Sequence, residues 1–199
     1  MDILCAVDES PHARWAVEAL QGVCSLRESR LILLNVIEYG VPFPTKGLEA
    51  LELGEDRSEM LFDHLRREVV SSGWKQVRYD VLRGRPVGDI ILRAAIQNDV
   101  ELVALGAHGL PDVVHFLTGS VSRRVAMHAP CSVLVVKKSI DVPARVMVGI
   151  DGSPMAREAV ECLLRLPLPR EVRVTTVGVV PPIPFVAAEG SAQHVQVGA

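Results

Sequence analysis

Five short apolar runs, separated by four stretches of helical periodicity, constrain this chain more than any other feature. They lie at residues 3–7, 31–37, 77–82, 102–105 and 132–136. A strand with one solvated face alternates apolar and polar residues, whereas a strand covered on both faces reads as a near-continuous apolar run. These runs are mostly continuous, so they predict a parallel sheet with helices on both sides. The helices fill the gaps. Ser10 followed by Pro11 is an N-cap and first-turn signal, after which Ala13, Ala16, Val17 and Leu20 share one face. Leu61, Leu65 and Val69 mark a second helix stopped by Gly73. A third begins near Pro86 and presents Val87, Ile90, Ile91, Ala94 and Ala95, and a fourth covers 120–128 before Pro130. Residues 38–54 contain Pro and Gly and read as a long surface connection. The fold class is α/β, a Rossmann-like, doubly wound parallel sheet of five strands with right-handed crossovers. Two orders compete, 3-2-1-4-5 and 2-1-3-4-5. The first makes the exits of strands 1 and 4 neighbours, bringing Asp8 beside the loop that begins at Gly106, and is the order expected.

An internal repeat sets the rest of the organisation. Asp2–Leu20 reads DILCAVDESPHARWAVEAL and Arg145–Leu163 reads RVMVGIDGSPMAREAVECL. At one constant offset Asp8, Ser10, Pro11, Ala13, Arg14, Ala16, Val17, Glu18 and Leu20 recur as Asp151, Ser153, Pro154, Ala156, Arg157, Ala159, Val160, Glu161 and Leu163, and Val36 falls opposite Val179. The copy then stops. The expected domains are 1–138, a complete α/β unit; 145–180, a truncated βαβ repeat with an apolar strand at 172–180; and 181–199, a Pro-, Ala- and Gly-containing tail without periodicity, expected to be disordered.

Composition closes several other routes. A net charge of -3 lacks the basic footprint of a nucleic-acid binder. Nothing approaches the roughly 20 consecutive apolar residues of a membrane span, and the first residues lack a secretory pattern, so a cytoplasmic protein is expected. Cys5, Cys24, Cys131 and Cys162 are too scattered for a metal site or disulfide framework. His12, His64, His115 and His128 have no triad or ligand spacing and are expected at the surface.

The chemistry concentrates in GAHGLPDVVHFLTGSVSRR, residues 106–124. Gly106 and Gly109 follow a strand, and nine residues separate Gly109 from the Gly119–Ser120 pair that opens a helix. Glycines allow positive φ and close backbone approach, and a helix start offers unpaired N–H groups at the positive end of its dipole, a natural phosphate site. On spacing alone, three turn-forming glycines explain the pattern equally well. His108 reads equally as a phosphate contact or a solvent-facing loop residue, and Ser120 as a helix cap.

The spacing G-x2-G-x9-G-[ST] resembles the ATP-binding signature of the universal stress protein family, as do ILCAVDES at the first strand and GSVSRRVAMHAPCSVLVVK at the last helix and strand. The resemblance covers most of residues 1–138. It implies an ATP-binding regulatory protein of the stress response, with Mg²⁺ as a possible companion and a homodimer or intrachain pseudo-dimer as the assembly. Asp8 would approach the ribose or a metal, and backbone near Val36 the adenine. Gly106 would lie under the ribose. Gly109, Gly119, Ser120 and the Val121 N–H would hold phosphates, with Ala6 and Val7 as apolar wall. The chain departs from the pattern at Asn35, where His is frequent, and at Glu9, where Gly is common. No G-x-x-x-x-G-K-[ST] is present, and no set of residues suits rapid phosphoryl transfer, so binding with little or no turnover is expected. The alternatives are a weak ATP hydrolase and an interaction module with an unused nucleotide site. A phosphoacceptor receiver domain fails because Leu82-Arg83-Gly84 stands where its acceptor Asp should.

Overall fold

The structure is a computed structural model that describes residues 1–23, 28–38, 47–107, 119–139, 145–166, 168 and 170–179, without the side chains of 47–55 and 57. In chain order the elements are β1 (Asp2–Val7), α1 (Pro11–Val23), β2 (Arg30–Ile37), α2 (Gly47–Ser71), β3 (Gln76–Arg83), α3 (Val87–Gln97), β4 (Leu102–Gly106), α4 (Ser120–His128) and β5 (Ser132–Val136). They are followed by β6 (Arg145–Ile150), α5 (Pro154–Arg165) and β7 (Arg173–Gly178). The first five strands form one parallel sheet in the order β3-β2-β1-β4-β5, the order chosen from the sequence, and β6 pairs with β7 in a separate parallel sheet.

The near-continuous apolar runs are explained by two cores, one on each face. Successive side chains of a strand point to opposite faces. Ile3, Cys5, Leu31 and Leu33 therefore pack with Ala16, Val17 and Leu20 of α1 and Phe62, Leu65 and Val69 of α2. Leu4, Ile32, Leu34, Val103 and Leu105 pack with Ile91, Ala94 and Ala95 of α3 and Val125 of α4. Each such side chain stabilises the fold by about 1.5–3 kcal/mol when fully buried. Burial pushes the Cys5 thiol up to about 12, so it is a core hydrophobe rather than a nucleophile.

Helix α2 corrects one expectation. It begins at Gly47, inside the stretch 38–54 read as a surface connection. Residues 47–54 read GLEALELG, and their Leu, Glu and Ala, strong helix formers, outweigh the two glycines that suggested a loop. The helix ends as expected: Gly73 takes a φ of +92°, and the amides of Gly73 and Trp74 return to the carbonyls of Val70 and Val69. The strand expected at 172–180 is observed as Arg173–Gly178, and the tail at 181–199 lies outside the described residues.

Candidate functional site: a crevice at the strand switch point

From β1 the chain crosses to β2 on one side, and from β4 it crosses to β5 on the other. The C-terminal ends of β1 and β4 therefore diverge and leave a crevice, the usual ligand position in an open α/β sheet. A cleft of about 530 Å³ lies there. Its walls come from Ala6, Val7 and Asp8 at the end of β1, Val36 of β2, Gly106 of β4, and Gly119, Ser120 and Val121 at the start of α4. Eight of the ten site residues expected from the sequence are thus gathered around one cavity. The other two, His108 and Gly109, lie outside the described residues.

Asp8 has a local structural task. Its Oδ1 accepts the Ser10 amide at 2.9 Å, and the Ser10 hydroxyl oxygen accepts the Ala13 amide at 3.3 Å. Together they turn the chain from β1 into α1 and cap that helix. The carboxylate remains exposed at the rim of the cleft.

At the opposite wall, α4 starts without a side-chain cap. Its N-cap is Gly119, and among the described residues no side chain accepts a capping hydrogen bond there, while the Ser122 hydroxyl donates back to the Gly119 carbonyl at 3.2 Å. The leading amides therefore face the cleft at the positive end of the helix dipole. Gly119 has φ −114° and ψ 138°, a conformation open to any residue. A glycine is not needed here for its φ.

Gly106 has a second reason to be glycine. A Cβ there would come within 2.5 Å of the His12 carbonyl carbon. Glycine lets α1 lie close against β4, so the residue is structural whether or not a ligand rests on it. His12 is accordingly not the surface residue expected: it is half-buried, and its ring meets Trp15 edge-on at 4.7 Å.

The strand register explains why Val36 matters. Gly84 donates to the Ile37 carbonyl, so the polar groups of Ile37 face β3. Main-chain groups alternate sides along a strand, so the Val36 carbonyl faces the other way, toward β1. But β1 ends at Val7, paired with Asn35. The Val36 carbonyl is therefore offered to the crevice beyond the end of the ladder.

Five apolar wall residues escaped the sequence reading: Ala13, Leu34, Val87, Ile91 and Leu105. Val87 and Ile91 are four apart on α3, a spacing that could have been found, but nothing local told cleft from core. Also missed was Glu38, whose Oε1 lies 2.5 Å from Arg85 Nε at the rim. The charged lining is acidic, Asp8 and Glu38, with no Lys or Arg among the described lining residues. No cluster of metal-binding side chains occurs among the described residues, and no described helix is long and apolar enough to cross a membrane.

Comparison with known proteins agrees with this geometry. The model of the universal stress protein family matches residues 1–137, which end just after β5. A putative universal stress protein of Staphylococcus aureus is 31% identical over 145 residues, covering 72% of this chain and 87% of the relative.

The chain belongs to the universal stress protein family.

Among solved structures, a universal stress protein family protein of Arabidopsis thaliana with AMP bound shares the fold at 18% identity, with a TM-score of 0.54 over 71% of this chain and 94% of that one. A universal stress protein in complex with cAMP is similar at 19% identity, with a TM-score of 0.55 over 70% and 98% of the two chains. In this universal stress protein the family match thus covers the five-stranded unit and leaves β6, α5 and β7 outside it.

Proposed function

We propose that this universal stress protein holds an adenine nucleotide, ATP with Mg²⁺, as a regulatory ligand with little or no turnover. One observation carries the reading: the Val36 carbonyl and the uncapped start of α4 face one cleft of about 530 Å³. A base amine donates to a carbonyl, and phosphate oxygens accept from helix amides. The base would rest between the aliphatic side chains of Val36, Val87 and Ile91. The carbonyl favours adenine, which carries an amine at that edge, over guanine, which carries a carbonyl. Fold neighbours solved with AMP and with cAMP support an adenosine phosphate as ligand class.

The charge of the cleft bears on the cation. Glu38 is paired with Arg85, which leaves the Asp8 carboxylate to repel a triphosphate, with no cationic side chain among the described lining residues to offset it. A divalent cation near the exposed Asp8 carboxylate would supply that positive charge. The same lack of cationic side chains leaves a γ-phosphate without the stabilisation that fast transfer requires.

Extraction of nucleotide from freshly purified protein, identified by mass spectrometry and followed by calorimetry with Mg·ATP, tests the proposal. Retention or binding of an adenine nucleotide is expected. A pure, folded protein without affinity for ATP, AMP or cAMP overturns it. Turnover should stay far below the ordinary enzymatic range of about 1–1000 per second, and a rate inside that range contradicts the regulatory role.

We read β6–α5–β7 as a partial second copy without a nucleotide site among its own residues. The repeated sequence and matching strand–helix–strand order support this, and the spacing G-x2-G-x9-G-[ST] does not recur within residues 145–199.

A further inference from the structure

The end of the β1–β2 ladder is held by a side-chain chain that reaches a third element. Asn35 Nδ2 donates to the Val7 carbonyl at 2.8 Å, and the Ser58 hydroxyl of α2 donates to Asn35 Oδ1 at 2.7 Å. Both ends of the amide are used, so its orientation is fixed by its partners. Ser58 is only 3% exposed, and its helix is anchored below by the buried Phe62 and Leu65. The residues tied together flank the proposed site: Val7 precedes Asp8, and Asn35 precedes Val36.

We infer that Asn35 and Ser58 are positioning residues that set where the Val36 carbonyl stands relative to a bound base, and so set base selectivity. The inference rests on the nucleotide reading above. Val36 has β3 on one side only, since β1 stops opposite Asn35. The Val7–Asn35 pair closes the ladder through the Val36 N–H and the Val7 carbonyl, so the Val36 carbonyl is the first group of β2 without a β1 partner. The Asn35 amide braces that last rung by gripping the same Val7 carbonyl. The Val7 carbonyl removes the amide's freedom to flip, because a flipped amide would aim Oδ1 at another acceptor, and the Ser58 hydroxyl holds the other end of the amide in place. A buried hydrogen-bonding group left without its partner is costly, so loss of one member disturbs the others. The Glu38–Arg85 pair at the same rim is about half exposed and screened by water, so it cannot do this work. Asn35 and Ser58 thus act through Val36 and need not touch the ligand.

The test is the ratio of ATP to GTP affinity, measured by displacement of a fluorescent ATP analogue in the presence of Mg²⁺. Asn35→Ala should lower the preference for ATP over GTP about tenfold, which corresponds to about 1.4 kcal/mol. Ser58→Ala should lower it in the same direction by less, and Ser58→Thr, which keeps the hydroxyl, should retain it. A merely structural role would weaken both nucleotides in parallel and leave the ratio unchanged; that result overturns the inference. If Asn35→Ala does not fold, Ser58→Ala with Ser58→Thr decides by the same ratio. A wild-type protein that binds the analogue without preferring ATP overturns the inference while nucleotide binding stands. A wild-type protein that binds neither nucleotide overturns the proposed function and this inference with it.

Discussion

The units β1–α1–β2 and β6–α5–β7 begin from nearly the same sequence and build nearly the same local structure, yet the first is largely buried and borders the crevice at the start of α4, while the second is largely exposed. Asp8 accepts the Ser10 amide at 2.9 Å, and Asp151 accepts the Ser153 amide at 2.9 Å. The capping bond is 3.3 Å in the first unit and 3.1 Å in the second. Both strand pairs are parallel with the same register, Ile3 opposite Leu31 and Val146 opposite Val174. The difference lies in what covers them. Leu4 is 0% exposed under α3, whereas Met147, its counterpart in the repeat, is 74% exposed. Ile32 and Leu33 become Thr175 and Thr176, polar residues on strand β7, which is exposed throughout.

The comparison separates two properties that the motif confuses. The Asp-x-Ser-Pro sequence encodes a turn and a helix cap, and it does so wherever it stands. It does not encode a site. The crevice is closed by β4, α3 and α4, and the described residues of the second unit include no counterpart of these elements. Where that unit meets the first, Ser132 Oγ lies 3.5 Å from Cys162 Sγ, and two clefts of about 670 and 580 Å³ remain open along the seam. Their lining is mainly aliphatic.

The largest expected contrast is in stability. Leu4→Ala should cost about 2–5 kcal/mol, the usual range for emptying a buried leucine site. Met147→Ala at the equivalent position should change stability by less than about 0.5 kcal/mol. Urea unfolding of the two variants measures both, and equal losses would show that the second unit is covered in solution. Next is binding: Gly119→Val should weaken Mg·ATP at least tenfold, about 1.4 kcal/mol, with the domain still folded, because the side chain takes phosphate space. Unchanged affinity by calorimetry would remove the start of α4 from the site. Deleting residues 143–199 should lower the melting temperature by no more than about 4 °C, the shift expected for about 1 kcal/mol in a domain of this size. A much larger drop would mean that β6–α5–β7 completes the core of the first unit.

The smallest expected effect is one of pH. The hydroxyl and amide of Ser153 hold the Asp151 carboxyl below its ordinary value of 3.8. A depressed carboxylate contributes stability above that value and loses it as pH falls through the folded one. The start of α5 should therefore fray only in acid, below about pH 4, with no change between neutrality and pH 5. Backbone chemical shifts of residues 153–156 report it, and fraying near neutral pH would contradict the cap.

How much was legible follows from which forces are local. The five strands could be read because both faces of the sheet are covered, so every residue of a run such as Leu31–Leu34 had to be apolar. The repeat revealed β6, α5 and β7. The site's outline came from glycines and a helix start, features with fixed offsets. What escaped depends on contacts between distant segments. The start of α2 at Gly47 was hidden because two glycines looked like a loop. The pressing of His12 on Gly106 and the grip of Asn35 on Val7 have no sequence period. The walls at Val87 and Ile91 read as ordinary core positions on α3, and only the sheet order shows that they end at a crevice.

The central claim is that one of the two copies holds nucleotide. Calorimetric titration of the whole chain with Mg·ATP tests it most directly. The expected result is saturation at one equivalent per chain, with Asp151→Ala giving the same stoichiometry and an affinity within about twofold. Two equivalents per chain, or a loss of binding in Asp151→Ala, would contradict it.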